Sequence, residues 1–247
     1  MQTLKSLIAE KGAIVGTICT LGSIEAIEIA ASSGFDFMFI DGEHGCYDLA
    51  TLREAARAME AMGAFPIVRI PANGASWIES LLDAGFPAMI APMVNSVEQA
   101  TTLVGQALYP PLGTRSQASC RATIRWGSGY RKSFNDDFAL ITMIEHIDGV
   151  NAVDEILAVP GISGVFVGPT DLGSSIDGDA TKLAEAIEHV RVRALAAGKI
   201  LGIAASSPAA AVKYRDQGFQ FITIVTDRRL LAGACSATTS EWRGETK

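Results

Sequence analysis

Ionisable groups stand at or directly after four apolar runs of this 247-residue chain. Asp41, Glu43 and His44 follow "FMFI", Arg69 closes "PIVR", Glu145 ends "LITMIE", and Asp171 comes just after "GVFVGPT". Two carboxylates such as Glu145 and Asp171 can share one hard divalent cation, with waters and a chelating ligand completing its oxygen shell. An ion so held polarises a carbonyl and stabilises an enolate. A guanidinium inside an apolar run must face a carboxylate, an anion or water, because burying it unpaired is costly. Arg69 is therefore a candidate to hold the oxygen on which charge develops. His44 is a candidate general base, or the organiser of a water, with its proton held by a nearby Asp. Each residue also has an ordinary reading. His44 can be a hydrogen-bonded loop residue, Glu145 the start of a loop, and Asp171 a turn or N-cap residue of "PTDLGSS". His146 and His189 are given to such structural roles. The weight lies in the coincidence of several strand ends delivering charge together.

The elements that must position these groups are read from periodicity. Eight short apolar runs, at 13–19, 35–41, 66–70, 88–93, 140–145, 164–168, 199–205 and 220–225, lack polar alternation, as strands buried on both faces do. Helix-like stretches at 23–34, 48–63, 75–85 and 181–198 lie between them. Gly34, Gly63, Gly85, Gly198 and Gly218 mark helix stops, and Ser23 and Ser207 mark N-caps. Eight strands alternating with helices in this length predict one (β/α)8 TIM barrel over 1–247. Catalytic groups of such barrels project from the C-terminal ends of the strands, which puts Asp41, Arg69, Glu145 and Asp171 on one rim. The segment 105–138 reads as a long loop between the fourth and fifth strands, functional by its length.

Composition narrows the function. A hydrophobic fraction of 49% supports a sizeable core, and a net charge of −7 without a basic stripe argues against nucleic acid. No apolar run is long enough for a membrane span, and "MQTLKSLIAEKGA" carries no signal-like core, so no membrane partner and a cytoplasmic location are expected. Cys19, Cys46, Cys120 and Cys235 are widely spaced, as in a reduced protein without a zinc site. With three histidines in all, a metal here takes oxygen ligands. A lysine Schiff base is the other route to an enolate equivalent. Of Lys5, Lys11, Lys132, Lys182, Lys199, Lys213 and Lys247, none falls at the C-terminal end of an expected strand.

Taken in order, "FDFMFIDGEHG", "PIVRIP", "LLDAGFPAMIAPMVNSVEQA", "YPPLGTRS", "MIE" and "GVFVGPTDLG" resemble the HpcH/HpaI aldolase family of metal-dependent (class II) pyruvate aldolases over most of the chain. The resemblance implies a TIM barrel that reversibly cleaves 4-hydroxy-2-oxo acids to pyruvate and an aldehyde. It implies Glu145 and Asp171 as ligands of Mg²⁺, Mn²⁺ or Co²⁺, with the 2-oxo acid chelating the ion. The backbone of Gly168, Pro169 and Thr170 would border the substrate carboxylate, and Arg69 would hold the C2 oxygen. His44 with Asp41 would form the acid–base apparatus, and Asp83 would approach the histidine of a neighbouring subunit. A homohexamer is implied, a trimer of dimers that exchange C-terminal helices drawn from 227–247. Two departures stand out. Met143 occupies a position where Gln is common, and a thioether cannot replace an amide's hydrogen bonds. "SQAS" follows Arg115 where Gly is common, so Ser116 and Ser119 are either substrate-facing hydroxyls or ordinary turn residues. Two other functions are weighed: an acyl-CoA lyase of the citramalyl- or malyl-CoA type, disfavoured by the short and acidic chain, and a non-catalytic metal–oxoacid binder, which would not need His44.

Overall fold

Eight parallel strands close into a barrel in sequence order in the computed structural model, which describes residues 2–72, 74–127 and 129–245. They are β1 Ile14–Cys19, β2 Phe37–Asp41, β3 Phe65–Arg69, β4 Ala88–Ala91, β5 Ala139–Ile144, β6 Gly164–Val167, β7 Ile200–Ala205 and β8 Phe221–Thr226. All eight fall on the expected apolar runs. β1 pairs with both β2 and β8, which closes the sheet, with a register shift between Gly16 and Ile18 on the β8 side. Helices cover the outside. Their starts are fixed by side chains that accept the free N–H groups of the first turn: Ser23 from Ala26, Asp48 from Thr51, Ser96 from Gln99 and Ser207 from Ala210. Helix Ala75–Ala84 ends at Gly85, whose φ of 93° is cheap only without a Cβ.

Side chains two apart on a strand share a face. The inward faces therefore read Phe37–Phe39–Asp41 on β2, Phe65–Ile67–Arg69 on β3, Ile141–Met143–Glu145 along and just past β5, and Phe166–Gly168 on β6. Their lower layers form one apolar cluster in the lumen. Its rings pack edge to face, Phe39 against Phe166 and Phe37 against Phe221, each at 5.7 Å, with Phe166 tilted against Phe221 at 5.1 Å. Four rings fit because β7 contributes Gly202 there; a Cβ on it would lie 2.3 Å from the Phe221 ring. Leu4, Leu7 and Ile8 of helix Leu4–Lys11 join this cluster with Ile14 at the lower end of the barrel. The lumen is a dry plug, and its next layer up is the polar mouth.

The segment 105–138 is not one open loop. Helix Val97–Ala107 runs into it, and helices Arg121–Trp126 and Tyr130–Asp137 fill its second half. Tyr130, Phe134 and Phe138 stack at i, i+4 spacing, with centroids 5.3 and 4.9 Å apart. That spacing is a helical signal which the surrounding polar residues mask. The longest irregular stretch among its described residues is 108–120. The C-terminal helix Asp227–Trp242 has one buried residue, Asp227, and leaves Leu230, Leu231 and Trp242 exposed. Asp227 accepts from the N–H groups of Thr20 and Leu21 and from the Thr20 hydroxyl, latching the helix start to the loop after β1. Thr246 and Lys247, at the end of the expected 227–247 segment, lie outside the described residues.

Candidate active site

Asp41 and Arg69 are register partners on neighbouring strands, and both point into the mouth. Arg69 Nε donates to Asp41 Oδ1 at 2.9 Å and Nη2 to Oδ2 at 2.6 Å, a two-pronged pair with both side chains nearly buried. Burial works against the Arg69 charge, but the hydrogen bonds and charge of Asp41, then the charges of Glu43 and Glu145, outweigh it and hold the pKa above the ordinary guanidinium value. Burial also works against the Asp41 carboxylate; its bonds to Arg69 and to two backbone N–H groups outweigh that and keep its pKa below the usual range. Those N–H groups belong to Glu43 and His44, at 3.0 and 3.1 Å from Asp41 Oδ1. Asp41 thus fixes the arginine and the turn after β2. It takes the backbone of His44, not its ring, so the expected Asp41–imidazole contact does not form.

A further carboxylate of the mouth is Glu145, buried one residue past β5. Oε1 accepts the Met93 N–H at 2.8 Å, while Oε2 receives no hydrogen bond among the described residues. Met93 makes that bond from a φ of 53°, backbone strain of the kind that concentrates at functional sites. Burial raises the Glu145 pKa above the usual carboxylate range; the Met93 N–H and Arg69 pull it down, and the charges of Asp171 and Glu43 push it up further. Asp171 stands in the first turn of helix Pro169–Ser174, close enough for its charge to act on Glu145. Between them passes Gly168, where a Cβ would lie 2.9 Å from Glu145 Oε2. A buried carboxylate with one oxygen unbonded, a second carboxylate nearby and a bare backbone beside them suit an oxygen-coordinated dication. Among the described residues, no three His, Cys, Asp or Glu side chains gather as a complete metal cage. A dication held by Glu145 and Asp171 would have two protein ligands and open positions, as a chelating substrate needs.

Two further residues belong to the mouth. Glu43 Oε2 lies 3.2 Å from Arg69 Nη1 and 3.7 Å from His44 Nε2. Met143 Sδ lies 3.8 Å from Arg69 Nη1 and faces Gly168, placing a thioether on the floor. Sequence reading records Glu43 as ionisable and Met143 as a departure, without a task for either. The signal for Glu43 is the Asp41-led turn, which folds residue i+2 back over the barrel end.

Asp83, Ser116 and Ser119 stand elsewhere in the chain. Asp83 Oδ1 accepts from Arg115 Nη2 at 2.7 Å. The Ser116 N–H and hydroxyl donate to Glu79 Oε1 at 3.0 and 3.1 Å. Ser119 lines a cleft with Asp83, Arg53, Arg57 and Arg121. Within one chain, none of the three contacts Arg69, Glu145 or His44. His146 is the N-cap of helix Ile147–Asn151 and accepts the Asp148 N–H, a structural task. Lys199 Nζ donates to the Ile162 carbonyl where β7 begins, at the end of the barrel away from the mouth.

The model of the family described as HpcH/HpaI aldolase/citrate lyase matches residues 20–234. A hydroxypyruvate/pyruvate aldolase of Roseovarius nubinhibens is 35% identical over 98% of this chain and 97% of its own. A 5-keto-4-deoxy-D-glucarate aldolase of an Enterobacter strain is 34% identical over 90% of each. Among solved structures, the citrate synthase SbnG superposes with a TM-score of 0.89 at 28% identity, covering 99% of both chains. Among the described residues, no helix is long and apolar enough to cross a membrane.

Proposed function

The chain belongs to the HpcH/HpaI aldolase/citrate lyase family and is a carbon–carbon lyase of the aldolase kind, and from that premise we propose how its mouth cleaves 4-hydroxy-2-oxo acids, reversibly, into pyruvate or a hydroxypyruvate-like 2-oxo acid and an aldehyde. The observation that carries the reading is the inward layer of Asp41 and Arg69 on neighbouring strands, with Glu145 just past β5 acting on Arg69 by its charge, directly above a dry aromatic plug. Glu145 and Asp171 are the residues to hold a divalent ion, Mg²⁺, Mn²⁺ or Co²⁺, as the family's metal dependence supports. When bound, such an ion supplies Lewis acidity at the 2-oxo group.

The chain's own residues do the rest. Gly168 leaves room beside Glu145 Oε2 for the substrate carboxylate, with Pro169 and Thr170 bordering it. Asp41 holds the Arg69 fork, so the remaining guanidinium N–H groups face the C2 oxygen as it gains charge. His44 takes the proton of the C4 hydroxyl. The C3–C4 bond then breaks, its electron pair forms the C2–C3 enolate, and the aldehyde leaves. Protonation at C3 completes the 2-oxo acid.

Asp83, Ser116 and Ser119 are assigned to the mouth of a neighbouring copy, on the aldehyde side, in a homohexamer built as a trimer of dimers. The exposed Leu230 and Leu231 support exchange of the C-terminal helix between two copies. Four free thiols fit a reducing cytoplasm. A coupled assay for pyruvate release from 4-hydroxy-2-oxo acids, run with and without EDTA, tests the reading. Metal-dependent turnover is expected, and turnover that survives complete metal removal overturns the role of Glu145 and Asp171. His44→Ala is expected to remove turnover while keeping metal and pyruvate binding.

A further inference from the structure

One carboxylate oxygen at the rim has two neighbours with different tasks. Glu43 Oε2 is 3.2 Å from Arg69 Nη1 and 3.7 Å from His44 Nε2. The chain forces this position. Asp41 Oδ1 accepts both N–H groups of the following turn, and the Gly42 N–H donates to the Arg69 carbonyl. A Cβ on Gly42 would lie 2.6 Å from that carbonyl oxygen, so the turn presses onto β3 and the Glu43 side chain folds back over the guanidinium. The Glu43 side chain is 14% exposed, against 68% for His44.

Neutralising Arg69 does not explain Glu43, because Asp41 already occupies Nε and Nη2. Asp41, Glu43 and Glu145 together outnumber the one guanidinium whose charge they share. A further, nearly buried carboxylate is costly unless a second cation comes within reach. The imidazole of His44 is that group. At 3.7 Å the pair is not a hydrogen bond, but it becomes one over a small movement once Nε2 carries a proton.

We propose that Glu43 is a positioning residue that couples Arg69 to His44; the inference rests on the lyase reading above. When the C2 oxygen of the substrate draws on Arg69 Nη1, Glu43 Oε2 turns from the guanidinium to the Nε2–H of His44. The proton on Nε2 comes from the substrate's C4 hydroxyl, and no bond to Glu43 is made or broken. When His44 returns the proton, Oε2 returns to Arg69. One oxygen thus ties the charge gained at C2 to the proton taken at C4.

Glu43→Gln keeps the shape and removes the charge. It is expected to lower kcat about 10- to 100-fold while leaving KM for the oxo acid near its wild-type value, the signature of an interaction gained after binding. A second readout needs no turnover. With three histidines in the chain, the imidazole NMR signal of His44 is separable, assigned by its loss in His44→Gln. Adding Mg²⁺ and oxalate, a planar dianion resembling the enolate, draws on Arg69 and frees Glu43, with solvent supplying the Nε2 proton that the C4 hydroxyl gives during turnover; it is expected to move that signal in the wild type and not in Glu43→Gln, with oxalate affinity unchanged by calorimetry. Glu43→Asp, one methylene short, is expected to give an intermediate loss in both readouts, and it carries the test where the Gln variant is too unstable. Wild-type kcat in either variant, or a His44 signal that still follows oxalate in Glu43→Gln, overturns the inference. Absence of pyruvate release by the wild type with every metal defeats the lyase reading instead, and leaves the oxalate response to judge Glu43 alone.

Discussion

Arg69 and Arg115 are both buried guanidiniums, one at the mouth of the lumen and the other under the segment 108–138. The Arg115 side chain is 0% exposed, with its Cζ 4.6 Å from the ring centroids of both Tyr109 and Phe134. Nη2 donates to Asp83, Nη1 reaches the Tyr130 hydroxyl at 3.4 Å, and Nε is buried without a partner among the described residues. Burial works against its charge, and Tyr130 and Asp83 outweigh it, raising the pKa. The same burial pushes the Tyr130 hydroxyl up to about 12. Arg115 is enclosed by rings and served by one carboxylate. Arg69 has one aromatic neighbour, Phe39 at 5.9 Å, and feels the charges of Asp41, Glu43 and Glu145. A caged arginine fixes architecture; an arginine outnumbered by carboxylates at an open mouth is set to meet charge that arrives with a ligand.

Replacing each arginine by Met, which keeps bulk and removes charge, sharpens this contrast. Arg69→Met is expected to lower kcat/KM for pyruvate release by about 10²- to 10³-fold, the usual loss when a donor to a developing oxyanion is removed. Comparable activity in Arg69→Met and the wild type would break the comparison at its first term.

A metal held by Glu145 and Asp171 would act on the surroundings of Arg69 and not on those of Arg115. In the apo protein the raised Glu145 pKa means that the folded state holds a proton which the unfolded chain has already lost. This group's contribution to stability therefore falls as pH rises from the ordinary carboxylate range through the raised value, and is level above it. A dication binds the deprotonated form and offsets that cost. The gain in Tm on adding Mn²⁺ is expected to be full above this window, to shrink as pH falls through it, and to vanish in Glu145→Gln. A gain independent of pH, or one retained in Glu145→Gln, places the metal elsewhere.

The smallest effect on turnover is expected at the caged site, which is read in stability instead. Arg115→Ala leaves a hole between two rings and is expected to lower stability by about 2–5 kcal/mol in denaturant unfolding. Arg115→Met refills the hole with apolar bulk and releases Asp83, already partly exposed, to water, so its loss is expected to stay below about 1.5 kcal/mol. Equal losses in the two variants would show that the charge of Arg115, not its packing, holds this segment.

Much of the site is legible along the chain because the barrel's rules are local. Strands two-fold in period send Phe37, Phe39 and Asp41 to one face, and a guanidinium in "PIVRI" requires an anionic neighbour wherever it lands. Which anion it meets is another matter. Asp41 is three residues from His44 and twenty-eight from Arg69, and it pairs with Arg69 because parallel registry sets Asp41 opposite that residue. The helix at 130–137 is hidden by the polar residues of "YRKSFNDDF", since its apolar stripe is completed by Phe134 packing onto Tyr109 and Arg115, far back in the chain.

The number of strands, their burial on both faces and the delivery of Asp41, Arg69, Glu145 and Asp171 to strand ends can be read along the chain, because periodicity and burial act between near neighbours. The pairings come from the folded barrel: Asp41 with Arg69, Asp83 with Arg115, and Glu43 between a guanidinium and an imidazole. Those depend on strand register and on turns that bring distant residues within a few ångströms, and electrostatic energy is set by that distance alone, whatever the separation along the chain.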